Sequence, residues 1–101
     1  MGRELRMPRV TVRGYASFSD LLGSKDLEIA TDAETVDQLL DFLTEKLNPK
    51  VRDELLDSGT GEVKKGNKVL VNGREIDFLQ GLATRIKDGD RVVLFPPVGG
   101  G

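Results

Sequence analysis

The first patterned segment of the chain alternates apolar and polar residues from Val10 to Ala16, which is typical of a half-buried strand. Val10 and Val12 fall on its inward face. The opposite face carries Thr11, Arg13 and Tyr15. The next segment, Ser19–Lys25, contains glycine and serine, so we expect it to turn the chain back toward a second alternating strand, Asp26–Ala30. The inward residues of that strand are Leu27 and Ile29.

Apolar residues then recur at helical spacing, beginning directly after Thr35. Thr35 and Gln38 form the pattern of a capping box, which satisfies two amide donors at the start of a helix. The apolar stripe of this helix is Val36, Leu39, Leu40, Leu43 and Leu47. Phe42 falls at the edge of the stripe, and Asn48-Pro49 ends the helix because proline disfavours helical backbone at the residue before it. A short helical turn is expected over Val51–Leu56.

The second half of the chain has the pattern of a hairpin followed by a final strand. The hairpin spans Lys68–Asp77, and its Asn72-Gly73 dipeptide predicts a type I′ turn because both residue types accept positive φ. We expect a short turn over Leu82–Ile86, a tight Asp-Gly-Asp turn at residues 88–90, and a strand over Arg91–Phe95. Because both faces of that strand are apolar, it is predicted to be central in the sheet or covered on its outer side.

These elements predict an α+β fold in which a mixed sheet of four to five strands packs on one main helix. With 101 residues, the chain has the size of one ordinary domain. We expect residues 8–95 to form that domain and residues 96–101 to form an extended tail. Residues 1–7 are expected to be a loose extension or a cloning remnant, with Met7 as an alternative start.

Composition excludes several classes of function. The net charge is −2, with 15 basic and 17 acidic residues spread along the chain, so no electrostatic footprint for nucleic acid or an anionic membrane is present. We find no apolar run near the ~20 residues that span a bilayer, and no signal-peptide pattern. A cytoplasmic location is therefore expected.

The chain has no cysteine and no histidine. Their absence excludes disulfides, thiol nucleophiles, iron–sulfur ligation and the usual zinc sites, and it removes the commonest general base. Asp77, Asp88 and Asp90 are the residues from which a metal cluster could be imagined, but Asp-Gly-Asp is a turn sequence, so we expect no metal site. Most classes of enzyme are thereby excluded.

After Phe95 the chain continues as Pro96-Pro97-Val98-Gly99-Gly100-Gly101. Two prolines favour extended backbone and cannot continue a sheet, and three glycines carry no side chain. Six such residues reach on the order of 20 Å when extended. The sequence therefore predicts a thin tether that ends in a carboxylate and can thread a narrow channel in another protein.

Five short motifs along the chain resemble one known family. They are Tyr15-Ala16 to Gly23, Thr35-Val36 with Leu39-Leu40, Val71-Asn72-Gly73, Asp88–Val92 and Phe95–Gly100. With these motifs the chain resembles the MoaD/ThiS-like ubiquitin-like sulfur carriers, which include the small subunit of molybdopterin synthase, the thiamine-pathway carriers and the small archaeal modifier proteins. The resemblance covers nearly all of residues 8–100 and implies the ubiquitin-like β-grasp fold.

The resemblance also implies that the working group is the C-terminal carboxylate of Gly101, preceded by Gly99 and Gly100, or that of Gly100 if Gly101 is removed. In the family, an ATP- and Mg²⁺-dependent enzyme of the ubiquitin-activating kind adenylates this carboxylate, and sulfur delivery then gives a thiocarboxylate. Because the chain has no thiol side chain, the terminus is its only candidate for carrying sulfur. The chain itself is expected to be a non-catalytic subunit that binds no cofactor stably.

The function that the resemblance favours is sulfur donation for molybdopterin, with the large subunit of molybdopterin synthase as partner. The alternative is a protein modifier joined through its terminal glycine to target lysines, and a third possibility is a β-grasp interaction module with an inert tail. In relatives the partner surface lies on the open sheet face and around the tail. The corresponding residues here are Leu70, Val93, Phe95, Pro96, Pro97 and Val98.

Overall fold

The computed structural model of the protein describes residues 7–97, which form five strands, three α-helices and two short 3₁₀ turns. The strands are β1 (Arg9–Gly14), β2 (Asp26–Ala30), β3 (Lys68–Val71), β4 (Arg74–Glu75) and β5 (Arg91–Phe95). The helices are α1 (Ser17–Leu22), α2 (Val36–Lys46) and α3 (Lys50–Leu55), and the 3₁₀ turns are Ile76–Phe78 and Gly81–Ala83. The extension expected at the N-terminus lies, except for Met7, outside the described residues.

The five strands form one mixed sheet in the order β2-β1-β5-β3-β4. β5 pairs in parallel with β1 and antiparallel with β3, and the two remaining pairs are antiparallel. β5 is therefore the central strand, which confirms the position predicted from its two apolar faces. β2 is an edge strand, and its inward residues, Leu27 and Ile29, are only half-buried.

The hydrophobic core includes the inner face of the sheet and the apolar stripe of α2. Its fully or almost fully buried members on these elements are Val10, Val12, Val36, Leu39, Leu40, Leu43, Val69, Val92 and Leu94. Burying this apolar area against water is the main favourable term for a domain of this size. The predicted mixed sheet on one main helix is therefore confirmed.

The capping box of α2 forms with one shift. The Thr35 hydroxyl accepts from the Gln38 amide at 3.2 Å, while the Gln38 side chain accepts from the amide of Glu34 at 2.8 Å, one residue before the cap. The prediction for Leu47 was wrong, because the helix ends at Lys46 and Leu47, at the C-cap, is 42% exposed. None of the helices within residues 7–97 is long and apolar enough to cross a membrane.

The turn predicted over Ser19–Lys25 was wrong in its first half, because α1 begins at Ser17 and continues to Leu22. Phe18 and Leu22 lie one turn apart on this helix and are both buried, so tertiary packing stabilises a segment too short to be helical alone. Gly23 then ends the helix in the left-handed conformation, with φ of 78°.

The connection between β1 and α1 is tight enough to constrain two small residues. A Cβ atom built on Gly14 would lie 2.7 Å from the carbonyl carbon of Phe18, so α1 approaches β1 at backbone distance. Ala16 follows with φ of 52° and ψ of −122°, a combination that residues with a Cβ atom rarely adopt. The first strand consequently ends at Gly14, two residues earlier than predicted.

The Asn72-Gly73 hairpin is confirmed, with φ of 51° at Asn72 and 85° at Gly73. The Asn72 side chain also fixes the neighbouring turn, since its oxygen accepts from the Arg91 amide and its nitrogen donates to Asp90, both at 2.9 Å. The other carboxylate oxygen of Asp90 accepts from the amide of Lys87 at 2.9 Å. The Asp-Gly-Asp segment is thus the predicted turn, and both carboxylate oxygens of Asp90 are engaged in holding it.

We predict that Ala16→Gly stabilises the protein. Glycine relieves a backbone strain of order 1–3 kcal/mol at this φ and ψ and loses about 0.5–1 kcal/mol through its freer unfolded state, so the expected net gain is about 1 kcal/mol. Urea unfolding checks it. The control is Ala30→Gly at the exposed end of β2, which should lose stability. Equal losses in the two variants would contradict strain at Ala16.

Candidate functional site

β5 leads directly into the tail. Its last cross-strand pair joins Phe95 to Lys68 of β3, and the next two residues, Pro96 and Pro97, have no amide hydrogen with which to extend the ladder. Pro96 is half-buried and Pro97 is exposed. The remaining predicted tail residues, Val98, Gly99, Gly100 and Gly101, lie outside the described residues. The described site is therefore the sheet surface from which the tail departs.

One cross-strand row spans all five strands on the outer face of the sheet. It runs Asp26, Arg13, Val93, Leu70, Glu75, because Arg13 pairs with Asp26 and Val93, and Leu70 pairs with Val93 and Glu75. The two predicted partner-binding residues in the middle, Val93 and Leu70, are both half-buried. The pairing places them side by side on adjacent central strands, where directly opposite side chains contact each other.

Phe95 was also predicted to bind a partner, and its ring stacks on the ring of Tyr15. The two ring centroids are 4.6 Å apart and the rings are within 4° of parallel. Tyr15 is held in place because its amide donates to the Leu94 carbonyl at 3.1 Å. It remains 40% exposed, so the stack presents aromatic surface to solvent beside the start of the tail.

Tyr15 was not predicted as a partner-binding residue, although its position in the first alternation put it on the outer face. The alternation pattern does not show which strands pair. The parallel pairing of β1 with β5 brings the ends of these two strands together, and with them Tyr15 and Phe95. We define the outer apolar patch as Tyr15, Leu70, Val93 and Phe95.

Arg13 forms one border of the patch. Its guanidinium makes two contacts with the Asp26 carboxylate, donates to the Tyr15 hydroxyl at 3.2 Å, and lies 5.7 Å from the centre of the Tyr15 ring. The hydrogen bonds from Arg13 lower the pKa of Asp26, and the Asp26 carboxylate in turn raises the pKa of Arg13. Any stability from the pair is thus present above the ordinary pKa of aspartate and is lost as pH falls through the lowered value.

Lys68 and Glu75 form the opposite border, with their charged atoms 3.3 Å apart. The outer face therefore has an apolar centre between two ion pairs, one at each side. This arrangement is typical of a protein-binding surface, in which an apolar core excludes water and a polar rim sets orientation. It also lies next to the strand end from which the tail departs, so a partner that binds the patch is close to the tail.

The sequence model of the ThiS family matches residues 12–101 of the chain. Small archaeal modifier protein 3 of Haloferax volcanii is 38% identical over 91 residues, which cover 89% of this chain and 96% of that relative.

Two solved structures are similar over nearly their whole length. The crystal structure of small archaeal modifier protein 1 from Haloferax volcanii is 28% identical, with a TM-score of 0.73 over 92% of this chain and 99% of that one. A chain of the Amycolatopsis orientalis BexX/CysO complex is 25% identical, with a TM-score of 0.76 over 91% of this chain and 99% of that one. These neighbours confirm the predicted ubiquitin-like β-grasp fold.

Proposed function

Because the chain belongs to the ThiS family of ubiquitin-like carrier and modifier proteins, we propose that its C-terminal glycine carboxylate is the group on which it works. The observation that carries this proposal is the extent of the family match, which continues past β5 through the tail to residue 101. The composition supports it as well, since a chain without cysteine or histidine has no thiol and no imidazole for covalent or acid–base chemistry.

The proposed activation begins with the carboxylate of Gly101, or of Gly100 if Gly101 is removed. A carboxylate oxygen attacks the α-phosphorus of Mg²⁺-bound ATP, so that an acyl adenylate forms and pyrophosphate leaves. Hydrosulfide then attacks the acyl carbon, AMP leaves with the bonding electron pair, and a thiocarboxylate remains. ATP, Mg²⁺ and the catalytic groups belong to the activating enzyme, and this chain supplies a reachable terminus and a docking surface.

We propose that the sulfur is used to make molybdopterin, and that the partner in the transfer is the large subunit of a molybdopterin synthase. The support is the Phe-Pro-Pro-Val-Gly-Gly sequence at residues 95–100, which resembles the end of that enzyme's small subunit.

A second candidate function is conjugation to proteins. The observation in its favour is that a relative 38% identical over 89% of this chain is named small archaeal modifier protein 3. The chemistry differs only in the second step, in which a lysine amine rather than a sulfur donor displaces AMP and forms an isopeptide bond. Both functions therefore require the same first step and the same docking to an activating enzyme.

The first step is tested by ATP–pyrophosphate exchange with the cognate activating enzyme. We predict that the full chain supports exchange and that a variant lacking Gly99–Gly101 loses at least ~100-fold, because the shortened terminus no longer reaches the nucleotide. A variant lacking only Gly101 shows which glycine is activated. Full exchange by the chain without its glycines would contradict the proposal and favour the interaction module with an inert tail.

The outer apolar patch is proposed as the docking surface for the activating enzyme. We predict that Leu70 is one of the few interface residues whose truncation costs more than about 1 kcal/mol, so that Leu70→Ala weakens binding by about tenfold. Isothermal titration calorimetry with the enzyme provides the measurement.

The matched control is Leu47→Ala. Leu47 is also partly exposed, but it lies at the end of α2 and not on the outer sheet face. Its replacement should leave the affinity unchanged, and thermal unfolding should show both variants folded at the temperature of the titration. Equal affinities for the two variants would place the docking surface elsewhere.

A further inference from the structure

Gly66 lies against the start of the tail. The last pair of the antiparallel β3–β5 ladder is Lys68 with Phe95. Two residues before Lys68 and two residues after Phe95, the same register places Gly66 opposite Pro97. The distances between Gly66 and Pro97 agree with this placement. A Cβ atom built on Gly66 would lie 3.1 Å from Cγ and 3.2 Å from Cβ of the Pro97 ring. A side chain at position 66 would therefore require the proline ring to shift by a few tenths of an ångström.

The turn that presents Gly66 is tied to the body of the domain. The Asn67 side chain donates to the carbonyls of Glu54 and Leu55, each at 3.1 Å, and the Lys64 amide donates to the Leu55 carbonyl at 2.9 Å. The Asn67 amide closes the turn by donating to the Lys64 carbonyl at 3.0 Å. Gly66 is thus held on a support anchored at the end of α3.

We propose that Gly66 is a positioning residue that sets the direction in which the tail leaves the sheet. This inference rests on the proposed function, because it concerns how the C-terminal carboxylate reaches the nucleotide. Pro97 cannot hydrogen-bond through its amide nitrogen, so contact of its ring with the bare backbone of Gly66 takes over where the β3–β5 ladder ends.

The position of Pro97 matters because the terminal carboxylate lies only four residues further along the chain. The C-terminal residues start from Pro97, so a shift of its ring by a few tenths of an ångström displaces the point from which they enter the activating enzyme. A displacement of even 1 Å at a reacting group can reduce a rate by about 100-fold. A methyl group at position 66 would shift the proline ring by a few tenths of an ångström without altering the tail sequence.

The test compares Gly66→Ala with Gly61→Ala. Both glycines have positive φ, 94° and 77°, so alanine strains the backbone in each case, but a Cβ atom on Gly61 meets nothing within 4 Å. We expect both variants to lose thermal stability, and only Gly66→Ala to raise the KM of the chain in ATP–pyrophosphate exchange, by roughly tenfold.

A second comparison uses the Pro97→Gly background, in which the ring is absent. In the Pro97→Gly background, adding Gly66→Ala should raise the KM no more than Gly61→Ala raises it in the wild-type chain. The reason is that two residues in contact have non-additive effects, and the contact is lost with the ring. In the free wild-type chain, NMR should detect an Overhauser effect between the Gly66 α protons and the Pro97 ring protons.

The outcomes separate the two proposals. An active wild-type chain with equal KM values for Gly66→Ala and Gly61→Ala would overturn the positioning role of Gly66 and leave the proposed function standing. A missing Overhauser effect would overturn the positioning role as well. A wild-type chain that supports no exchange with an enzyme proven active on another carrier would overturn both.

Discussion

β5 is the middle strand of the sheet, and both the core and the outer apolar patch include its side chains. Parallel pairing with β1 on one side and antiparallel pairing with β3 on the other hold the strand along its length. Its inward residues, Val92 and Leu94, are fully buried in the core, and its outward residues, Val93 and Phe95, belong to the outer apolar patch. The same strand then delivers Pro96 and the rest of the tail. One strand thereby contributes to the core, to the proposed docking surface and to the start of the tail.

The proposed chemistry asks for little from the side chains of this protein. A carboxylate is a poor acylating group, and ATP provides the activation through a leaving group that another protein binds and orients. An acyl adenylate is also readily hydrolysed, so the partner has to close around it, and only a narrow backbone fits into such a closed site. Under the proposed function, the residues that matter are therefore those that bind the partner and those that position the tail.

The sequence predicted the elements whose signals are local. The capping box of α2 and the hairpin turn each depend on a few neighbouring residues, and both are present in the structure. α1 was missed because six residues are too few to show helical periodicity and its formation depends on tertiary burial. Within the site, alternation only separated Val93 and Phe95 from Val92 and Leu94, and the family resemblance assigned Val93 and Phe95 to the outer face. The stack of Tyr15 on Phe95 and the contact of Gly66 with Pro97 depend on strand register between distant segments, which no local pattern specifies.

The intact mass of the chain purified from its native cells, with its terminus analysed by fragmentation, shows whether the C-terminal carboxylate is the working group. We predict a population in which one oxygen of the terminal glycine carboxylate is replaced by sulfur, or in which that glycine is joined to a lysine of another protein. Thiocarboxylate would establish the carrier function and isopeptide adducts the modifier function. A terminus that carries only an unmodified carboxylate, in cells whose activating enzyme is expressed and active, would contradict the claim that this carboxylate is the working group.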